Sequence, residues 1–167
     1  YPTGTPGRGK GIFTTAKGSR VLVINPMGRL FMAPLDDPFA VVEAELARHR
    51  LGVTVDCVIV DLHAEATSEK MAMGHKLDGR VSMVVGSHTH VPTADAMILP
   101  GGTAYQTDMG MCGDFDSVIG MVKETAVARF TSQLPTDRLQ PSTGEATLCA
   151  LFVETDDETG LARHVAP

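Results

Sequence analysis

Three of the six histidines in this 167-residue chain stand where a fold can bring them together. His63 follows the apolar run Val58-Ile59-Val60-Asp61-Leu62, and His88 and His90 follow Val84-Val85-Gly86-Ser87. Both runs have the length and β-branched content of buried strands. Imidazole nitrogen is the commonest protein ligand for zinc, manganese, iron and nickel, and a His-x-His spacing lets two rings reach neighbouring ions. A lone histidine at a strand end is more often a satisfied polar cap. Three at two strand ends favour metal ligation by His63, His88 and His90. Gly86 and Ser87 are small enough to allow the tight backbone path of a ligand loop. His49 lies between Arg48 and Arg50, His75 between Gly74 and Lys76, and His164 near the C-terminal end. These three read as solvated.

A metal-bound imidazole usually gives its second N–H to a carboxylate or carbonyl. Asp61, Glu65 and Asp108 are the candidates for that supporting role, the alternative being ordinary loop polars or helix caps. Gly4 to Lys10 imitates a phosphate-cradling loop, but Gly11 stands where Ser or Thr is required. The segment after it, Ile12-Phe13-Thr14-Thr15, reads as a strand, so no helix N-terminus is on hand to hold a phosphate.

The elements that must position the histidines alternate. Residues 20–25 read as a strand closed by Pro26, and residues 31–38 as a loop broken by Pro34 and Pro38. Asp37 caps a helix that starts at Pro38 and runs to about His49 or Arg50, where Gly52 stops it. Its apolar stripe is Phe39, Val42, Leu46 and Ala47. Residues 56–62 form a buried strand, and Thr67 or Ser68 caps a helix through Leu77. Residues 80–86 are another strand, and a turn at 100–102 precedes a strand at 103–107. Residues 117–130 read as a helix and residues 146–154 as one long strand, with a hairpin turn at 156–160. Strand and helix in alternation predict an α/β layered fold in a single domain spanning 1–167. In such folds ligands gather beyond the C-terminal ends of the strands, where these histidines stand.

Composition narrows the function. Hydrophobic residues make up 43% and charged residues 20%, enough for a core. No apolar run reaches membrane-spanning length, and no secretory signal opens the chain. Net charge is −6, with no cluster of Lys and Arg. Long nucleic acid is therefore disfavoured as a partner. A small phosphorylated substrate remains open, because bound cations can supply the missing positive charge. Cys57, Cys112 and Cys149 have no paired spacing, which fits a reducing cytoplasm. Tyr1-Pro2-Thr3-Gly4-Thr5-Pro6 reads as a loop interrupted midway, so a fragment is expected.

Residues 1–9, 61–70 (DLHAEATSEK), 77–82, 84–95 (VVGSHTHVPTAD), 98–105 (ILPGGTAY) and 116–121 together resemble the YmdB-type bacterial metallophosphoesterases. The resemblance covers nearly the whole chain. It implies a calcineurin-like fold, a layered αββα sandwich, present here as an N-terminally truncated part. It further implies two divalent ions, iron or manganese with zinc or magnesium as alternatives, and phosphodiesterase action on small cyclic nucleotides. His63 and His88 match ligands of one ion and His90 a ligand of the other. The family's N-terminal Asp, its bridging Glu with Asn, and its proton-donating Asn-His pair have no counterpart in these residues. No catalytic acid is therefore assigned in this chain, which is expected to be inactive alone. A mononuclear three-histidine hydrolase and a non-catalytic nucleotide-binding regulatory module are the alternatives. A homo-oligomer is compatible with any of them.

Overall fold

In the computed structural model, which describes residues 1–167, the alternation read from the sequence becomes one mixed sheet with helices laid on a face. β1 (Lys10–Thr14) and β2 (Arg20–Ile24) form an antiparallel hairpin. α1 (Pro38–Leu46) leads into β3 (Cys57–His63), α2 (Thr67–Leu77) and β4 (Met83–Ser87). β3 lies parallel to β2, and β4 parallel to β3. After them come β5 (Met97–Ile98) and β6 (Ala104–Gln106). β6 runs parallel to β4, and β5 pairs antiparallel at the edge, giving the order β1-β2-β3-β4-β6-β5. Two short ribbons lie outside the sheet: β7 (Gly113–Asp114) with β8 (Ala146–Thr147), and β9 (Phe152–Thr155) with β10 (Ala162–Ala166). α3 (Lys123–Thr131) falls between β7 and β8 in sequence.

Side chains alternate across a strand, and this alternation selects the core. Leu22, Ile24, Val58, Val60, Leu62 and Val84 share one buried cluster with Val42 and Leu46 of α1 and Met73 and Leu77 of α2. Each contributes roughly 1.5–3 kcal/mol by leaving water. On the other face Val21, Val23 and Ile59 are only half-buried. No helix is long and apolar enough to cross a membrane.

Several sequence expectations hold closely. The Asp37 carboxylate accepts from the Phe39 and Ala40 amides, capping α1 behind Pro38. Residues 10–14 are a strand, so the glycine-rich segment before them opens no helix. The 156–160 turn closes the β9–β10 hairpin, with Asp156 Oδ1 accepting from the Glu158 and Thr159 amides.

Three expectations need correction. Neither Thr67 nor Ser68 caps α2: Thr67 is its first residue, and Ala66 precedes it with no side-chain cap. The third helix begins at Lys123 rather than at 117. Residues 117–122 instead fold into a tight turn, with Ile119 and Gly120 at positive φ and the Ser117 hydroxyl accepting from the Gly120 amide. The apolar run at 146–154 is split, because its two ends pair with different partners, β7 and β10.

Candidate functional site

The register of the parallel sheet builds the site. His63 is the Cα partner of Ser87 at the C-terminal ends of β3 and β4, so the next residue, His88, emerges beside the His63 ring. His63 Nε2 and His88 Nδ1 are 3.1 Å apart, with the rings edge to face at 80°. A Cβ at Gly86 would come within 1.8 Å of the Thr107 carbonyl oxygen, so only glycine lets β4 approach the end of β6 this closely.

The outer nitrogens of the two rings decide what the inner pair presents. Ser87 Oγ donates to Asp61 Oδ1 at 2.8 Å, which leaves the hydroxyl as acceptor for His63 Nδ1–H at 3.3 Å. His88 Nε2 lies 2.9 Å from Glu65 Oε2, and a carboxylate can only accept. When both rings are neutral their protons sit on these outer nitrogens and the inner nitrogens face each other as lone pairs, an arrangement that suits a shared cation or, without one, a single shared proton. Burial, reinforced by the neighbouring His88, holds His63 below the ordinary imidazole value, which keeps its lone pair available at neutral pH.

Of the supporting carboxylates read from sequence, Glu65 touches a histidine directly and Asp61 acts through Ser87. Asn25 also fixes Asp61, its Nδ2 lying 3.1 Å from Asp61 Oδ2. Asp108 does something else. It touches neither ring, but accepts from the Thr89 amide at 3.0 Å, from the Gly110 amide at 2.9 Å and from the Lys70 ammonium at 2.8 Å. Burial alone would raise its carboxyl, yet these hydrogen bonds outweigh that and hold it below the usual carboxylate value.

His90 does not join the pair. Its Nδ1 donates to the Ile119 carbonyl at 2.8 Å, across the turn that replaces the expected start of the third helix. His88 and His90 adopt φ of 115° and 67°, backbone states that cost a non-glycine residue about 1–3 kcal/mol each. His75 and His164 are exposed and His49 half-buried.

Two nitrogens bound to one ion at about 2.0–2.1 Å lie about 3 Å apart. The His63–His88 spacing of 3.1 Å fits that. No group of three or more His, Cys, Asp or Glu side chains is gathered closely enough to hold a metal ion. These residues therefore fit part of a ligand shell. A cleft of about 630 Å³ on this chain contains none of the histidines. Its lining includes Gly7, Arg8, Asn25, Pro26 and Met27, and Met27 bridges to His63.

Sequence reasoning missed Ser87 as a hydrogen-bond relay, Asn25, and the neighbouring buried pair Glu69 and Lys70. Glu69 accepts from the Arg29 and Leu30 amides, tying down the loop that passes His63. Charged residues in the first turn of a helix are ordinarily solvated, so nothing in the pattern marked these two.

The model of the YmdB-like protein family matches residues 1–167. A 2',3'-cyclic-nucleotide 2'-phosphodiesterase of Bacillus subtilis (strain 168) is 46% identical over 159 residues, covering 95% of this chain and 59% of that protein. The crystal structure of a hypothetical protein from Thermus thermophilus superposes with a TM-score of 0.85 at 46% identity, over all of this chain and 63% of that one. That of a novel phosphatase from Mycoplasma pneumoniae gives 0.82 at 36%, over 96% and 56%. The chain thus spans about three fifths of the length of the relatives it matches. On the match along its whole length, the chain belongs to the YmdB-like protein family.

Proposed function

We propose that this chain forms part of a two-metal phosphodiesterase acting on small cyclic nucleotides, 2',3'- or 3',5'-cyclic, in the cytoplasm. The observation that carries the reading is the 3.1 Å approach of His63 Nε2 to His88 Nδ1, with the outer nitrogen of each ring engaged by Ser87 or Glu65. The Bacillus subtilis relative's name, a 2',3'-cyclic-nucleotide 2'-phosphodiesterase, supports the substrate class. Two divalent ions, when bound, would supply charge to the phosphoryl oxygens and activate the attacking water.

The chain's own residues have separate tasks in this reading. His63 and His88 hold one ion; Ser87 and Glu65 fix their tautomers by accepting the outer N–H groups, and Asp61 orients Ser87 by accepting its hydroxyl. His90 serves the second ion through its free Nε2. The single-ion, three-histidine alternative would need His90 gathered with the other two rings, and no three such side chains come together here. The single mixed sheet is taken as half of a four-layer αββα sandwich, its half-buried face awaiting the other half. By itself the chain supplies three imidazoles and no Asn-His proton donor, and we infer that it is inactive alone. The net charge of −6 suits a small phosphate ester better than a polyanion.

The test is elemental analysis with a cyclic-nucleotide hydrolysis assay on the full-length protein and its His63→Ala, His88→Ala and His90→Ala variants. Two ions per protein, falling to about one in each variant with most of the rate lost, supports the assignment. Full activity in a variant holding one ion would overturn it in favour of a mononuclear site. Metal and nucleotide binding without turnover would point to a regulatory module.

A further inference from the structure

α2 starts four residues after His63, and its first turn holds two adjacent charged side chains in the interior, Glu69 and Lys70. Lys70 is 1% exposed, and its partner Asp108 is fully buried. The Lys70 stem runs beneath the end of β4: a Cβ on Gly86 would come within 2.6 Å of Lys70 Cδ. Its ammonium thereby reaches a carboxylate that also receives the Thr89 and Gly110 amides. Thr89 is the residue between the two histidines held at positive φ. One carboxylate thus joins three elements: the helix after His63, the His88–His90 loop, and the loop after β6.

Stability does not explain this device. A buried ion pair replaced by uncharged groups of similar size is often neutral or stabilising, because two charges no longer need to leave water. The pair does explain how a strained loop keeps its shape. Without an acceptor at Asp108, the Thr89 amide loses its partner, and the loop is left to the contacts of His88 with Glu65 and of His90 with Ile119.

We propose that Lys70 is a positioning residue for the histidine site, acting through Asp108 to fix the His88–Thr89–His90 loop and so to set the affinity for a divalent ion. The affinity part rests on the metal reading above; the loop part does not. Two variants of the full-length protein test it, Lys70→Met and the double change Lys70→Met with Asp108→Asn. The single variant leaves a buried carboxylate short of its counter-charge, whereas the double variant leaves no unpaired charge and is expected to keep its circular dichroism. Asn offers one acceptor oxygen where Asp offers two.

Amide hydrogen exchange in the metal-free double variant should speed at least about tenfold at Thr89 or Gly110 and stay unchanged at Val60 and Val84. Mn²⁺ affinity, read by titration calorimetry on the same folded sample, should fall about 10- to 100-fold. Unchanged affinity or unchanged exchange at both loop amides in the folded double variant would overturn the proposal. So would unfolding of both variants, which would make the pair part of the scaffold. If the unsubstituted protein binds no Mn²⁺, the metal reading fails, and the exchange result alone decides whether the Lys70–Asp108 pair holds the loop.

Discussion

Glu65 Oε2 stands 2.9 Å from His88 Nε2, and this contact between two loop residues aims the other nitrogen of the ring at His63. Glu65 lies two residues past the end of β3 and His88 one residue past the end of β4, so the contact exists only because the two strands end at the same level. Replacing Glu65 with Ala should lower metal affinity about 10- to 100-fold, the usual effect of losing a group that orients a ligand. Gln, which can still accept the N–H, should lose less. Titration of the full-length protein with Mn²⁺ checks both; equal affinity for the Ala variant would remove Glu65 from the site.

His63 should titrate below the ordinary imidazole value of 6.5, first because it is buried and then because His88 lies against it. A group whose folded value is lowered adds stability above its unfolded value, and that contribution is lost as pH falls through the folded value. In metal-free protein, an NMR titration of the His63 ring should therefore find a midpoint under 6.5. His88→Ala should move that midpoint upward, since the second-largest of the effects that lower it is gone. Added metal should abolish the titration.

Gly86→Ala should be among the most damaging single-methyl additions available. The new carbon would meet backbone at Thr107, which cannot swing aside as a side-chain tip could. Overpacking commonly costs about 1–3 kcal/mol, and a backbone clash belongs at or beyond the upper end. Urea denaturation measures the loss; a change below about 0.5 kcal/mol, the size of an ordinary surface substitution, would contradict the packing described.

Glu43 presents a different electrostatic case. Two hydrogen bonds from Arg80, at 2.8 and 2.7 Å, outweigh partial burial and with help from Lys76 bring its carboxyl down to about 2. Its contribution is present above the ordinary carboxylate value and disappears as pH falls through about 2. The pair is substantially exposed, so Glu43→Gln should cost no more than about 1 kcal/mol at neutral pH. Stability curves of the two proteins should converge in strong acid. A gap that widens on acidification would show that Glu43 is not held low.

The part of this molecule legible in the sequence is the part governed by local pattern. The runs before His63 and His88 announce parallel strands, and the C-terminal ends of such strands are where ligands collect, so the placement of the two rings follows from pattern alone. Asp37 before Pro38 fixes the start of α1 for the same local reason. What was hidden depends on register and reach. Ser87 is a relay only because it is paired with His63 across the sheet. Asp108 looks like a histidine partner from its type, yet its oxygens go to the Thr89 and Gly110 amides and to Lys70. Lys70 itself resembles any solvated helix residue until Gly86 is seen to make room for its stem. The apolar stretch at 146–154 misleads because one run of strand-like residues serves two ribbons.

The histidine pair and the groups that orient it, Asp61 to Asp108, occupy one uninterrupted stretch in which β3, β4 and β6 are spatial neighbours. Short connections close with little loss of chain entropy, and contacts near in sequence form fast. This stretch is accordingly expected to behave as one cooperative folding unit, its amides exchanging together and after those of the β9–β10 ribbon. The imidazoles would then be aligned as soon as this segment of the sheet exists. Lengthening the connection between α3 and β8 should leave their alignment intact, which makes that connection the natural place to insert a reporter.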